Sequence, residues 1–339
     1  MKKILYGTLL LIIILPPAAA QNGGDNVYEF LNLTHSGLVA SLGGSNVSLA
    51  GNNLNLSYHN PALLNTGMNK SVALNYVNYF AGINYGLAMY SGKFDSKNSF
   101  ATGITYLNYG SFREADASGI ITGEFRASEY AISLIYSHQI DSSFSIGANL
   151  KPVLSHLDDY TSFGLALDLG ASWVSKDRRT SAGLVIRNAG RQLTDYAGEP
   201  REKLPFEIMG GVTQKLAYAP FRISLTYRHI EKWVLSLSDS EKAGGSGKPD
   251  FLETLLMHTI PGIEILPHKN FYLSAGYNFQ RRKELNVPAG SASGISWGFG
   301  INTAWIDLEF GRAIYHLAGA SNNISLIIRP SRIYRRNRE

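Results

Sequence analysis

Phe163-Gly164-Leu165-Ala166-Leu167-Asp168-Leu169-Gly170-Ala171-Ser172-Trp173 is the stretch that decides the fold. Large apolar side chains occupy nearly every second position, with Gly, Ala, Asp and Ser between them. Successive side chains of a β-strand point to opposite faces, so this segment is a strand with one bulky apolar face and one small or polar face. The same period recurs in Phe221-Arg222-Ile223-Ser224-Leu225-Thr226-Tyr227 and in Ile295-Ser296-Trp297-Gly298-Phe299-Gly300-Ile301. It returns in Ala304, Ile306, Leu308 and Phe310. A strand of a soluble sandwich also alternates, but its outer face carries charged residues. Here the polar face is rich in Gly, Ser, Asn and Thr. That is the pattern of a transmembrane barrel, where the apolar face meets lipid and the polar face lines the lumen.

Composition agrees. Charged residues make up 17% of the 339-residue chain, against about 25% in soluble domains, because lipid-facing positions have no place for charge. The formal net charge of +5 sits at the ends: Lys2 and Lys3, then Arg332, Arg335, Arg336 and Arg338 offset by Glu339. Residues 21–330 are close to neutral, which argues against nucleic-acid binding, since that needs a basic face on the folded body. The chain has no cysteine, excluding a disulfide framework, a thiolate nucleophile and cysteine-ligated metals. Residues 1–20 read as a signal peptide: Lys2-Lys3, an apolar run from Leu9 to Leu15, Pro16-Pro17, and Ala18-Ala19-Ala20 as the cleavage motif.

Counting alternating segments gives about fourteen. Approximate spans are 71–79, 82–91, 99–109, 130–138, 144–155, 160–174, 180–188, 206–215, 221–228, 258–266, 270–279, 295–302, 304–312 and 323–329. Most approach the ~9–11 residues that a tilted strand needs to cross a bilayer. Connections after even strands are mostly short, and those at 110–129, 189–205, 229–257, 280–294 and 313–322 are longer. That is the asymmetry of a bacterial outer-membrane barrel, with short inner turns and long outer loops. Pro261 sits awkwardly inside its strand, since proline cannot donate to the ladder. Asp158-Asp159 suits a tight outer turn.

The expected organisation is a signal peptide (1–20), an N-terminal plug segment (21–70), an all-β transmembrane antiparallel barrel (71–330) and a basic C-terminal tail (331–339). The 21–70 segment lacks the strand period and is rich in Asn and Ser. It stands next to the first strand, where it can fold into a lumen wide enough to need filling. Asn60-Pro61-Ala62 reads as a turn opening a short helix, with proline at its first position.

The ordered set Tyr28-Glu29-Phe30-Leu31-Asn32-Leu33, Leu42-Gly43-Gly44-Ser45-Asn46-Val47-Ser48, Asn60-Pro61-Ala62-Leu63-Leu64, Leu74-Asn75-Tyr76, Ala81-Gly82-Ile83-Asn84-Tyr85-Gly86 and Arg281-Arg282-Lys283-Glu284-Leu285 resembles the PorQ family of the type IX secretion system, related to PorV and FadL-like outer-membrane barrels. The likeness spans nearly the whole chain after residue 20. Ser36-Gly37-Leu38 departs from it where a Ser-Ala-Arg-like triplet is expected. The resemblance implies a non-enzymatic barrel in the outer membrane, anchoring or scaffolding the cell-surface attachment complex that processes and attaches secreted cargo. Implied partners are outer-membrane lipids, a PorZ-like surface protein, PorU-like and PorV-like components, and lipopolysaccharide. Arg281, Arg282 and Lys283 are then candidate surface-loop docking residues, and Asn60, Pro61 and Ala62 the plug motif. The alternative is a FadL-like transporter of a hydrophobic small molecule; a soluble exported sandwich is a third reading.

Catalytic signals are missing. The eight histidines show no H-x-x-x-H or H-E-x-x-H spacing, and there is no G-x-S-x-G elbow or phosphate-binding glycine loop. No catalytic residue, metal or cofactor is expected. Asp168, Asp307 and Glu309 fall on lumen-facing positions, where they set polarity.

Overall fold

The computed structural model describes residues 26–330 apart from 117, 197, 199, 234, 236–250, 285–291, 317 and 318. The expected signal peptide and basic tail therefore lie outside the described residues. Fourteen strands form one closed antiparallel barrel. They are β1 (Ser71–Asn78), β2 (Asn84–Lys93), β3 (Asn98–Ala115), β4 (Ile121–Gln139), β5 (Phe144–Leu157), β6 (Tyr160–Val174) and β7 (Thr180–Gln192). The second half comprises β8 (Glu207–Lys215), β9 (Phe221–Tyr227), β10 (Thr259–His268), β11 (Phe271–Tyr277), β12 (Ile295–Asn302), β13 (Ile306–His316) and β14 (Gly319–Ile328). Each strand pairs with its sequence neighbours, and β1 closes the barrel on β14 from Val72 opposite Ile328 to Asn78 opposite Asn322.

Closure removes every sheet edge, the condition for a sheet to survive in lipid, where an unpaired N–H has no water to bond. Pro261 fits because its demand is met locally. It stands opposite Leu225 of β9, and β10 pairs with β11 only from Gly262 on. The two faces are inverted relative to a soluble protein. On β4, Ile132, Leu134 and Tyr136 are 45%, 47% and 46% exposed, whereas Ser133 and Ser137 between and beside them are buried. Leu134→Lys at this outer wall is expected to cost about 2–4 kcal/mol near the bilayer midplane. Urea titration of the barrel folded into vesicles measures it; a cost under about 0.5 kcal/mol would mean that this face does not meet lipid.

The turns after even strands are two to five residues long throughout. Three reuse one device, an aspartate that accepts the backbone N–H two residues on, as such turns favour. Asp95 accepts from Lys97 and Asn98 at 2.7 and 2.8 Å, and Asp141 from Ser143 and Phe144 at 2.7 and 2.8 Å. Asp177 accepts from the Ser175 hydroxyl at 2.6 Å and from the Arg179 N–H. These hydrogen bonds hold all three carboxyls below their usual range, through the Asn98 amide first for Asp95, the Ser143 N–H for Asp141 and the Ser175 hydroxyl for Asp177.

The opposite end departs from expectation in three places. The segment read as loop 110–129 is mostly strand: β3 and β4 run on as a two-stranded ribbon, with Phe112 stacked on Phe125 at 5.1 Å. A ribbon wetted on both faces needs no apolar alternation, so the period that identifies wall strands is absent from it. The connection read as 313–322 shrinks to the two residues between β13 and β14. The long connections at 229–257 and 280–294 contain short helices, α3 (Phe251–Met257) and α4 (Phe279–Glu284).

Candidate functional site

The lumen is lined by inward Ser, Thr, Asn and Gly, which leave room, and residues 26–70 occupy that room. This segment is built from two helical turns, α1 (Gly37–Ser41) and α2 (Leu56–His59), and short 3-10 turns at Glu29–Asn32, Pro61–Leu63 and Thr66–Met68. Its Asn and Ser residues explain how such irregular backbone is satisfied, because short polar side chains bond backbone groups that no helix or sheet serves. Ser36 caps α1 by accepting from the Val39 N–H, and Asn46 accepts from the N–H groups of Ser48 and Leu49. Asn60 caps the turn at Pro61 by accepting from Ala62 at 3.0 Å.

The sequence motif Asn60-Pro61-Ala62 joins this segment to the wall. Asn60 is buried and donates to Val47 O at 2.8 Å and to Ala171 O of β6 at 3.2 Å. Pro61 and Ala62 lie against Gly147 of β5, where a Cβ would collide with the Pro61 carbonyl carbon and the Ala62 nitrogen. Gly311 of β13 likewise sits in direct contact with the Gly37 carbonyl.

Contacts run around the wall. Tyr28 shares a 2.5 Å hydrogen bond with Ser162 of β6, and Ser48 a 2.8 Å one with Thr213 of β8. Ser41 meets Ser274 of β11 at 2.6 Å, while the Gly37 N–H donates to Ser325 of β14 at 3.0 Å. Tyr85 of β2 and Asn323 of β14 both donate to Thr34 O, and Asn75 of β1 donates to Asn55 at 2.8 Å. Apolar clusters fill the gaps, with Leu54, Tyr58, Leu64 and Met68 packed on Ala73, Leu87, Met89 and Ile135 of the wall.

Charge is buried here in pairs. Lys151 of β5 reaches Asp168 of β6 at 2.7 Å, both fully enclosed, and also donates to Asn188 at 2.5 Å. Arg222 pairs with Glu264 directly across β9 and β10 at 2.5 Å, Arg228 with Glu207 at 2.6 Å, and Arg329 with Asp307. Glu309 differs: its carboxylate accepts from Ser36, from the Leu38 N–H and from Asn53, all in the N-terminal segment. Arg187 of β7 donates to Leu31 O at 2.8 Å and lies 5.8 Å from the Tyr58 ring centre. The lumen-facing acids Asp168, Asp307 and Glu309 are thus where the alternation places them. Their partners Lys151 and Arg329 escaped the sequence reading, because pairing needs the strand register. Opposite charges at inward parity on neighbouring strands were the available signal.

His35 is fully enclosed between Tyr58 and Tyr85, edge-on at 5.0 and 5.2 Å, and neither ring nitrogen has a hydrogen-bond partner among the described residues. Burial, helped by the charge of Arg187, pushes its pKa down to about 3, and His59 is also held well below the usual range by burial. A base whose folded pKa lies below its unfolded value near 6.5 stabilises fully above that value and loses the contribution as pH falls toward 3. His35→Phe is expected to leave stability at pH 7.5 unchanged or slightly higher. Between pH 6 and 4 it should flatten the pH slope of the unfolding midpoint by up to about 1.4 kcal/mol per unit. Parallel slopes for the two proteins would show that His35 is not buried neutral.

Arg281, Arg282 and Lys283 stand on α4 with intramolecular partners. Arg282 donates to Ser293 at 3.1 Å, Arg281 reaches toward Gly43 O, and Lys283 pairs with Glu253 of α3 at 2.6 Å. Cavities of about 440 and 260 Å³ open toward the short turns, beside Asn65, Thr66 and Ser143 and beside Asn53, Arg222 and Glu309. Among the described residues no group of three His, Asp or Glu is placed to share a metal ion.

No protein-family model matches this chain, and no curated protein matches it. Solved structures do. The Ralstonia pickettii toluene transporter TbuX aligns over 88% of this chain and 98% of its own, at 11% identity and a TM-score of 0.52. The Pseudomonas putida toluene transporter TodX aligns over 87% and 97%, at 11% and 0.52. A Pseudomonas aeruginosa FadL homologue aligns over 87% and 98%, at 11% and 0.51. At such identity the likeness is one of fold: this is a FadL-like transmembrane β-barrel of fourteen strands.

Proposed function

We propose that the protein is an outer-membrane anchor, a barrel component of a type IX secretion system that holds the cell-surface attachment complex in place. The observation that carries this reading is the filled lumen. Residues 26–70 bond to inward side chains around the barrel and pack apolar clusters against them, so the filling is tied to the wall at many points around its circumference. The ordered motifs from Tyr28 to Leu285 supply the family expectation. In this reading a PorZ-like surface protein docks on the long-connection end, where the β3–β4 ribbon projects, with PorU-like and PorV-like components beside it. The protein then carries out no catalysis.

Fold comparison favours a second reading, a passage for a hydrophobic small molecule, since two of the neighbours are toluene transporters. Solvent extraction of the purified barrel separates the two. The anchor reading expects no non-phosphorylated apolar molecule at one per barrel. Stoichiometric recovery of a fatty acid or an aromatic hydrocarbon would replace it by the second.

A further inference from the structure

Outward wall positions of this barrel carry almost no charge, and the exceptions share one sign and one end. Apart from Arg113, Glu114 and Glu124 of the projecting ribbon, the formally charged side chains among the described outward strand positions are Arg126 at the ribbon's base on β4, Arg191 on β7 and Arg312 on β13. Each lies toward the long-connection end, and none has a carboxylate partner among the described residues. An arginine on a lipid-facing wall costs about 2–4 kcal/mol at the midplane and about 0–1 near the interface. Three of them, without acids, call for an anion supplied from outside the chain.

Strand register shows what surrounds two of them. Arg312, Asn322, Asn78, Asn84, Asn108 and Ser128 are successive cross-strand partners from β13 to β4. Arg312 donates to Asn322 at 2.8 Å, and Asn84 accepts from Asn78 at 3.1 Å and from Tyr76 at 2.8 Å. Where β3 and β4 slip register after Asn108, a niche of about 400 Å³ opens on the outer face, lined by Tyr106, Asn108, Arg126 and Ser128 among others. Directly below it Tyr106 stacks on Tyr130 at 4.8 Å. Guanidinium forks match phosphate oxygens bidentately, amides serve sugar hydroxyls, and the aromatic and aliphatic wall beneath suits acyl chains.

We infer that this ledge binds the phosphorylated headgroup of the anionic glycolipid of the outer leaflet, with Arg126 in the niche and Arg312 at the end of the asparagine row. The inference rests on the outer-membrane orientation and on neither reading of the lumen. The glycolipid is favoured over a phospholipid of the inner leaflet because the three arginines gather at the long-connection end.

The test uses the full chain folded in detergent micelles, with bis-phosphorylated lipid A as the probe, the same lipid after dephosphorylation, and inorganic phosphate as competitor. Phosphorylated lipid A is expected to bind at least about ten-fold more tightly than the dephosphorylated form. Arg126→Gln and Arg312→Gln should each weaken it about ten-fold, the loss of one charge-assisted contact. Arg179→Gln at a short turn should change nothing, and a heat-shifted electrophoretic band verifies folding of each variant. Equal binding of both lipids, unchanged binding by both single variants, or displacement by equimolar inorganic phosphate would overturn the inference.

Discussion

Lys151→Met is expected to destabilise the folded barrel by about 3–5 kcal/mol, the cost of leaving a buried charge without its partner. Lys151 and Asp168 are both shut off from solvent, 2.7 Å apart. Without the ammonium, Asp168 keeps the Asn188 N–H at 2.8 Å and the Asn149 amide at 3.2 Å. Two neutral donors do not offset the desolvation of a carboxylate. Lys151→Met combined with Asp168→Leu should recover most of the loss, since an apolar pair of similar volume often replaces a buried ion pair at little cost. Urea midpoints of the two variants decide this. A single variant within about 1 kcal/mol of the parent would mean that the pair is hydrated.

Removing residues 26–68 is expected to turn a silent barrel into a conducting one. The parent should show no steps in a planar bilayer, because its lumen is filled from Tyr28 near Ser162 to Asn65 near the short turns. The truncated wall leaves a polar lumen bounded by fourteen strands, which is wide enough to hold water. Should the truncated chain not fold, Gly311→Val tests the same seat. Its added carbons meet the Gly37 carbonyl, at an overpacking cost of about 1–3 kcal/mol, and should produce intermittent openings. A parent that conducts steadily, or a folded Gly311→Val variant as silent as the parent, would show that this segment does not seal the lumen.

Much of this architecture is legible in the residues. The alternation of Phe163 to Trp173 and its repeats identify the wall and the strand number, because a strand between lipid and lumen must keep period two. Asn60-Pro61 announces its own short turn, since proline at a first helical position and asparagine before it act locally. The ribbon at 110–126 and the helices α3 and α4 are not legible, because water on both sides imposes no period. Nor are the pairs Lys151–Asp168 and Arg329–Asp307, which depend on how neighbouring strands slide past one another. The outward arginines are visible only once parity and end are both known. In sequence, Arg281, Arg282 and Lys283 are candidate surface-loop docking residues. The fold gives them partners in Gly43, Ser293 and Glu253.

Affinity purification from solubilised outer membranes of the native host tests the anchor role most directly, comparing the parent with a Phe112→Ser, Phe125→Ser variant whose ribbon lacks its stacked pair. An anchor brings down a large surface protein in near-equal amount with the parent, and much less with the variant. Recovery of the barrel alone from both, with an apolar small molecule bound one to one, would contradict that role.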